Sequence, residues 1–167
     1  MHHLVEGFQA LGDEGARLLI AGDFAAVAGG SVIDQVRAAI GGDDRIRVLG
    51  FVPDEDLADL YASIDVFALP SVNAFEAFGI VQVEAMMTGV PALASDMPGV
   101  RQPVLRTGYG AIAAPRDAGS IAAGLRALRD DPPPREAVAT AARALYGVER
   151  TVAEYGALFD EVAAARA

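Results

Sequence analysis

Two glutamates, Glu76 and Glu84, are the residues of this sequence whose types and spacing could do chemistry. Glu76 lies in a loop, where glutamates are usually solvated, whereas Glu84 lies within the apolar stretch 78–88. A carboxylate in apolar surroundings needs hydrogen-bond donors, because burial of an isolated charge is costly or drives the group to take up a proton. Two neighbouring hydroxyls of a ligand, such as those of a ribose, would serve Glu84. An arginine of the protein would serve equally, so the residues alone leave both interpretations open.

The segment around these glutamates predicts a strand, a loop and a helix. Residues 64–69 are apolar apart from Asp65 and end before a proline, which is typical of a strand buried on both faces of a parallel sheet. Residues 78–88 contain no helix breaker after Gly79, and Gly89 stands where a glycine commonly ends a helix. Because apolar residues surround Glu84 on every helical face, we expect this helix to be largely buried.

The junction between this strand and this helix is the predicted ligand site. In an open parallel sheet, ligands bind beyond the carboxyl ends of the strands, and a helix N-terminus there offers unpaired amides to an anion. The backbone amides of Phe78, Gly79 and Ile80 are therefore the candidate donors.

Strands alternate with helices along the chain, which predicts an α/β fold: a Rossmann-like, doubly wound parallel sheet with helices on both faces. We expect one domain over residues 1–167. Helix starts are predicted at Ser31, with Ser31 as the cap, at Pro53 as the first helical residue, and at Asp117. A short helical turn broken at Pro103 is also expected. The predicted strands are 17–21, 45–49, 64–69, 91–94 and 111–114.

The C-terminal part, from about residue 134 to 165, predicts two alanine-rich helices after a run of three prolines. One stripe of the last helix carries apolar side chains. Such a stripe normally indicates packing in the core. Its members are Val152, Tyr155, Leu158, Phe159 and Val162.

Composition and charge exclude several classes of protein. The net charge of −10 argues against a nucleic-acid surface, because phosphate backbones are bound by basic patches. There is no cysteine for a disulfide framework, and no apolar run approaches the roughly 18 residues of a membrane span. With no signal peptide at the start, we expect a cytoplasmic domain. The acids at 54–56 suit a helix start rather than a metal site.

The whole string around the two glutamates resembles a known signature. Seven residues separate Glu76 from Glu84, and the pattern extends from Gly50-Phe51-Val52-Pro53 to Ala94-Ser95-Asp96. This resembles the Glu-x7-Glu signature of the retaining, nucleotide-sugar-dependent glycosyltransferases of group 1, also called family 4. The resemblance covers nearly all of the chain. It implies the C-terminal, donor-binding half of an enzyme with the two-domain GT-B fold.

The resemblance implies a role for each matching residue. Glu84 would hold the ribose hydroxyls of the donor nucleotide, and Glu76 would lie against the donor sugar as the catalytic residue. The backbone of residues 78–80 would face the sugar and the diphosphate. Ile80 and Val81 would shape the pocket.

The resemblance also implies what else the site contains. The turn Gly50, Phe51 and Val52 would lie beside the nucleobase of a UDP- or GDP-linked donor. No cofactor and no essential metal is expected, since family members stabilise the leaving diphosphate with protein dipoles and basic groups.

One departure from the family concerns its first strand and the Arg and Lys on the loop after it, which bind the diphosphate. This sequence begins after that segment. The missing strand would be the middle one of the usual order 3-2-1-4-5-6, so two sheet edges should be left unpaired. We expect a second chain, a swap or a longer natural polypeptide to fill the gap.

Three functions are therefore weighed. The preferred one is a glycosyltransferase domain that transfers a hexosyl group to an acceptor held by an absent N-terminal domain, inactive by itself and, at full length, peripherally associated with the membrane. One alternative is a nucleotide-sugar-binding module without catalysis. The other is a different GT-B enzyme, such as a sugar-nucleotide epimerase or a glycogen or starch synthase.

Overall fold

The computed structural model describes residues 1–22, 33–73 and 76–165, which form alternating strands and helices. The strands are β1 (Leu18–Ala21), β2 (Ile46–Gly50), β3 (Phe67–Leu69), β4 (Ala92–Ser95) and β5 (Gly110–Ala113). The helices are α1 (His2–Gln9), α2 (Ile33–Ile40), α3 (Asp54–Ser63), α4 (Ile80–Met87), α5 (Gln102–Thr107), α6 (Ala118–Asp130), α7 (Arg135–Tyr146) and α8 (Val148–Ala164). The predicted order of strands and helices is confirmed.

The strands pair in parallel, as predicted, but in two separate sheets. β1 pairs with β2, and β3, β4 and β5 form a sheet in that order. This division falls where the order 3-2-1-4-5-6 has its strand 1. Within the described part of the chain, β1 and β3 each keep one edge without a hydrogen-bonded strand.

Alternate residues of β4 show that helices cover both faces of the larger sheet. Ala92 and Ala94 pack in one core cluster with Met86 of α4 and Val138 of α7. Leu93, between them in sequence, packs in another cluster whose other buried members come from α1, β5 and α6. Successive side chains of a strand point to opposite faces, so the predicted two-faced helical cover is confirmed.

The ends of the helices mostly follow the predicted signals. The Asp117 carboxylate accepts a hydrogen bond of 2.9 Å from the Ser120 amide and caps α6. Gly89 has a φ of 91° just beyond α4. Pro53 is the N-cap of α3 rather than its first helical residue. The prediction that Pro103 breaks a helical turn is wrong, because its ring sits in the first turn of α5, where no amide is needed. The Ser31 cap lies outside the described residues.

The predicted core packing of the last helix is wrong. No residue of α8 is buried, and Phe159 in its apolar stripe keeps 66% of its surface exposed. The reason is position: α8 follows the turn at Gly147 and makes its main contacts with α7, so the stripe faces away from both sheets. None of the helices in residues 1–22, 33–73 and 76–165 is long and apolar enough to cross a bilayer.

Replacement of Asp117 by alanine tests the cap of α6. Loss of the hydrogen bond to the Ser120 amide should lower the free energy of unfolding by about 1 kcal/mol. Asp117→Asn is the matched control, since its amide oxygen can still accept that bond. Urea denaturation followed by circular dichroism measures both, and an Asp117→Ala midpoint equal to that of the parent would refute the role.

Candidate functional site

A cavity of about 360 Å³ opens where the chain passes from β3 into α4. Six consecutive residues line it: Glu76, Ala77, Phe78, Gly79, Ile80 and Val81. We call it the α4 cavity. The structure thus brings together Glu76 and the predicted anion-binding segment at the N-terminus of α4. It also places five of the predicted site residues on one surface.

The backbone around the cavity is fixed by glycines that leave no room for a side chain. Gly79 caps α4 with a φ of 78°, and a Cβ there would lie 2.3 Å from the Leu69 Cδ2 atom. A Cβ on Gly99, in the loop after β4, would lie 1.6 Å from the Ala77 carbonyl oxygen. Residues 76–79, which we call the signature loop, are therefore pressed against β3 on one side and against the loop after β4 on the other.

Gln82 joins the same two loops by hydrogen bonds. Its side-chain Nε2 donates to the carbonyls of Phe78 and Val100, each at 2.8 Å, and the residue is fully buried. A buried carbonyl without a donor would be destabilising, so one side chain satisfies both loops at once. The sequence analysis missed Gln82. The available signal was a lone amide side chain within the apolar stretch of a helix.

Glu76 lies half-buried at the edge of the α4 cavity. Its amide donates to the Asn73 carbonyl at 3.1 Å, which holds the backbone of the signature loop. In the described part of the chain, no side chain or backbone group hydrogen-bonds the Glu76 carboxylate. Its oxygens are available to hydroxyl donors of a ligand.

Glu84 is exposed, which corrects the predicted burial of α4. Gln82, Val83, Ala85 and Met86 are buried, whereas Glu84, together with Ile80 and Val81, faces outward. The physical reason is that α4 packs on α7, α3 and the strands β3 and β4, whereas the described residues leave its remaining face uncovered. Apolar residues on every face predicted burial on every face. Instead, the exposed ones form an open surface beside the cavity.

The partner of Glu84 is a tyrosine. The Tyr61 hydroxyl donates to Glu84 Oε2 at 3.1 Å. Burial, with the Glu84 carboxylate as a further cause, raises the pKa of Tyr61 to about 12, so the phenol stays a donor well above neutral pH. Among the described residues no arginine pairs with Glu84. The alternative of a structural arginine pair is therefore not what the structure shows.

The turn Gly50, Phe51 and Val52 lies apart from the α4 cavity. Gly50 ends β2 with a φ of 76°, and Phe51 keeps 70% of its surface exposed. None of the three lines the cavity. They stand at the carboxyl end of β2, the end of a parallel strand at which ligands bind.

The positive charge next to the signature loop is already paired. Arg101 follows Val100 and donates to the Asp96 carboxylate at 2.5 Å. The cavity itself is lined by a carboxylate, backbone and apolar side chains. It can offer helix-terminal amides to an anion, a carboxylate to hydroxyls and an apolar wall to a ring.

Comparison with known proteins agrees with these features. Residues 1–145 match the family described as glycosyl transferases group 1. The chain is 36% identical over 140 residues to the D-inositol 3-phosphate glycosyltransferase of Geodermatophilus obscurus, covering 80% of this chain and 30% of that protein. It is 42% identical over 87 residues to the O-antigen chain mannosyltransferase B of Escherichia coli, covering 52% of this chain and 22% of that protein.

Solved structures share the fold over nearly the whole chain. The sucrose-phosphate synthase of Thermosynechococcus elongatus superposes with a TM-score of 0.78 at 26% identity, covering 98% of this chain and 43% of that one. The Anabaena protein HepE, solved in complex with UDP, superposes with a TM-score of 0.74 at 24% identity, covering 94% and 44%. The chain thus spans less than half the length of these proteins. With the family pattern matched over residues 1–145 and the fold shared, the chain belongs to the group 1 glycosyl transferases.

Proposed function

We propose that this chain binds the nucleotide-sugar donor of a retaining hexosyl transferase. The observation that supports this most is the α4 cavity itself. It combines the Glu76 carboxylate with the backbone of Phe78, Gly79 and Ile80 at a helix N-terminus, and Glu84 lies exposed one turn further along α4.

Glu84 holds the ribose of the donor in this proposal. Tyr61 occupies Oε2 of the carboxylate, which leaves Oε1 and further lone pairs to accept from the ribose hydroxyls. Hydrogen bonds to an ionised carboxylate are roughly twice as strong as neutral ones. Phe51, exposed at the end of β2, offers an apolar surface to the base.

The diphosphate lies at the N-terminus of α4, where unpaired amides and the helix dipole favour negative charge. These fixed dipoles stabilise the negative charge that develops on the diphosphate when its bond to the sugar breaks. Glu76 contacts the sugar. Arg101 is paired with Asp96, and no arginine is among the six residues that line the α4 cavity, so the diphosphate needs positive charge from beyond that lining. The family's Arg and Lys are the natural source. The proposal includes no cofactor and no essential metal.

The acceptor belongs to another part of the enzyme. The exposed apolar stripe of α8 suits packing against a second, N-terminal domain, and the free edges of β1 and β3 suit an additional parallel strand from the same polypeptide. A second copy or a swapped strand could fill the same place. The cytoplasmic location and the peripheral membrane association stay predictions from the sequence.

Glu84→Ala tests the ribose contact. Loss of hydrogen bonds to a charged group should weaken binding of UDP or GDP, whichever the parent binds, by about 1.5–3 kcal/mol with little change in stability. Titration calorimetry measures the affinity. Glu161→Ala, on the exposed α8, is the matched control and should bind as the parent does. Equal affinity of the Glu84→Ala variant and the parent would refute the role.

Glu76→Gln tests the sugar contact separately. The amide keeps the size of the side chain and removes its charge, so a nucleotide-sugar should lose about tenfold in affinity while the free nucleotide keeps its own. The comparison uses UDP-glucose with UDP and GDP-mannose with GDP. An equal loss of affinity for the nucleotide and the nucleotide-sugar would refute a contact between Glu76 and the sugar.

A further inference from the structure

Tyr61 is a buried residue whose hydroxyl bonds a carboxylate on the surface. It lies in the last turns of α3, and only 6% of its surface is exposed. Its hydroxyl donates to Oε2 of the exposed Glu84 at 3.1 Å. The side chain thus links the core of the domain to a carboxylate at the edge of the proposed donor site.

The Tyr61 ring is held on several sides. It packs with Ala85 of α4 and with Val90, both fully buried, in one core cluster. Phe67 of β3 meets it edge to face, with the ring centroids 5.8 Å apart and the planes at 78°. An aromatic ring in such contacts has little freedom to rotate. The position of its hydroxyl is therefore set by the strand and the two helices around it.

Glu84 has no such support of its own. It is exposed, and its neighbours on the same face of α4, Ile80 and Val81, offer no hydrogen bond to its side chain. A free glutamate side chain loses considerable rotamer entropy when it is fixed by a ligand. A side chain that is already fixed loses less on binding, and the difference appears as affinity.

We propose that Tyr61 is a positioning residue for the donor nucleotide, whose hydroxyl holds the Glu84 carboxylate so that its free oxygen faces the ribose. The inference rests on the proposed ribose contact of Glu84. Packing in the core requires only the ring of Tyr61, and phenylalanine would fill the same space. The inference therefore assigns the binding role to the hydroxyl.

The protonation state of Tyr61 is consistent with this positioning role. A phenol is protonated at neutral pH in any case, and burial raises the pKa of Tyr61 further, to about 12, so its hydroxyl keeps a proton to donate even in alkaline solution. A donor on one carboxylate oxygen leaves the other as an acceptor. Ribose hydroxyls then supply the complementary donors.

Tyr61→Phe is the test, because it removes the hydroxyl and keeps the ring. Titration with the nucleoside diphosphate that the parent binds, UDP or GDP, should show an affinity about three- to tenfold weaker. The 2′-deoxy form of the same nucleotide should show a clearly smaller effect, since one of the two ribose donors is gone. Tyr155→Phe, on the exposed α8, is the matched control and should bind as the parent does.

A double variant separates positioning from general damage. In a Glu84→Ala background, Tyr61→Phe should add no further loss of affinity, because the carboxylate that it orients is absent. Chemical denaturation of each variant checks that the fold is kept. An equal loss for the ribo and deoxy nucleotides, or additive losses in the double variant, would show a merely structural role and overturn the inference.

The remaining outcomes distinguish the proposed role of Tyr61 from the proposed donor site on which that role rests. If Glu84→Ala weakens binding and Tyr61→Phe does not, the ribose contact stands and the role of Tyr61 is refuted. If Glu84→Ala has no effect, or the parent binds neither nucleotide, the proposed donor site is refuted, and the role of Tyr61 is refuted with it.

Discussion

The two hydrogen bonds from the Gln82 side chain to the carbonyls of Phe78 and Val100 are the interaction on which the site depends. They tie the signature loop to the loop after β4, across a contact that is too close for any residue but glycine at position 99. Leaving the buried carbonyl of Val100 without a donor would cost about 1–3 kcal/mol. The arrangement is not fully satisfied, because the buried Oε1 of Gln82 has no partner among the described residues.

The helix α4, which begins at this junction, has one buried face and one exposed face. Val83, Ala85 and Met86 anchor the helix to its neighbours, and the opposite face stays open with Glu84 on it. A helix that is anchored on one side can present backbone amides and a carboxylate in constant relative positions. Such constancy favours binding, since little has to be ordered when a ligand arrives.

The order of the strands and helices could be predicted from the sequence, because apolar runs, prolines and glycines that lie close together in the chain indicate them. Gly89 predicted the end of α4 closely, and the apolar run before Pro70 predicted a strand that ends at Leu69 as observed. That strand starts at Phe67 rather than at residue 64, and its residues are half-buried rather than buried on both faces. Contacts between distant segments could not be predicted in the same way. Tyr61 and Glu84 lie 23 residues apart, and Gln82 reaches Val100 over 18. Periodicity also does not tell which apolar surface finds a partner, which is why the exposure of Glu84 and of the α8 stripe was missed.

A crystal structure of the chain with the nucleotide-sugar that it binds would test the donor site most directly. We expect the ribose hydroxyls within hydrogen-bond distance of Glu84, the diphosphate at the amides of residues 78–80, and the sugar beside Glu76. The Tyr61 hydroxyl should still donate to Glu84 in that complex. A nucleotide bound elsewhere on the domain, with the Glu84 carboxylate free of ribose, would contradict the assignment.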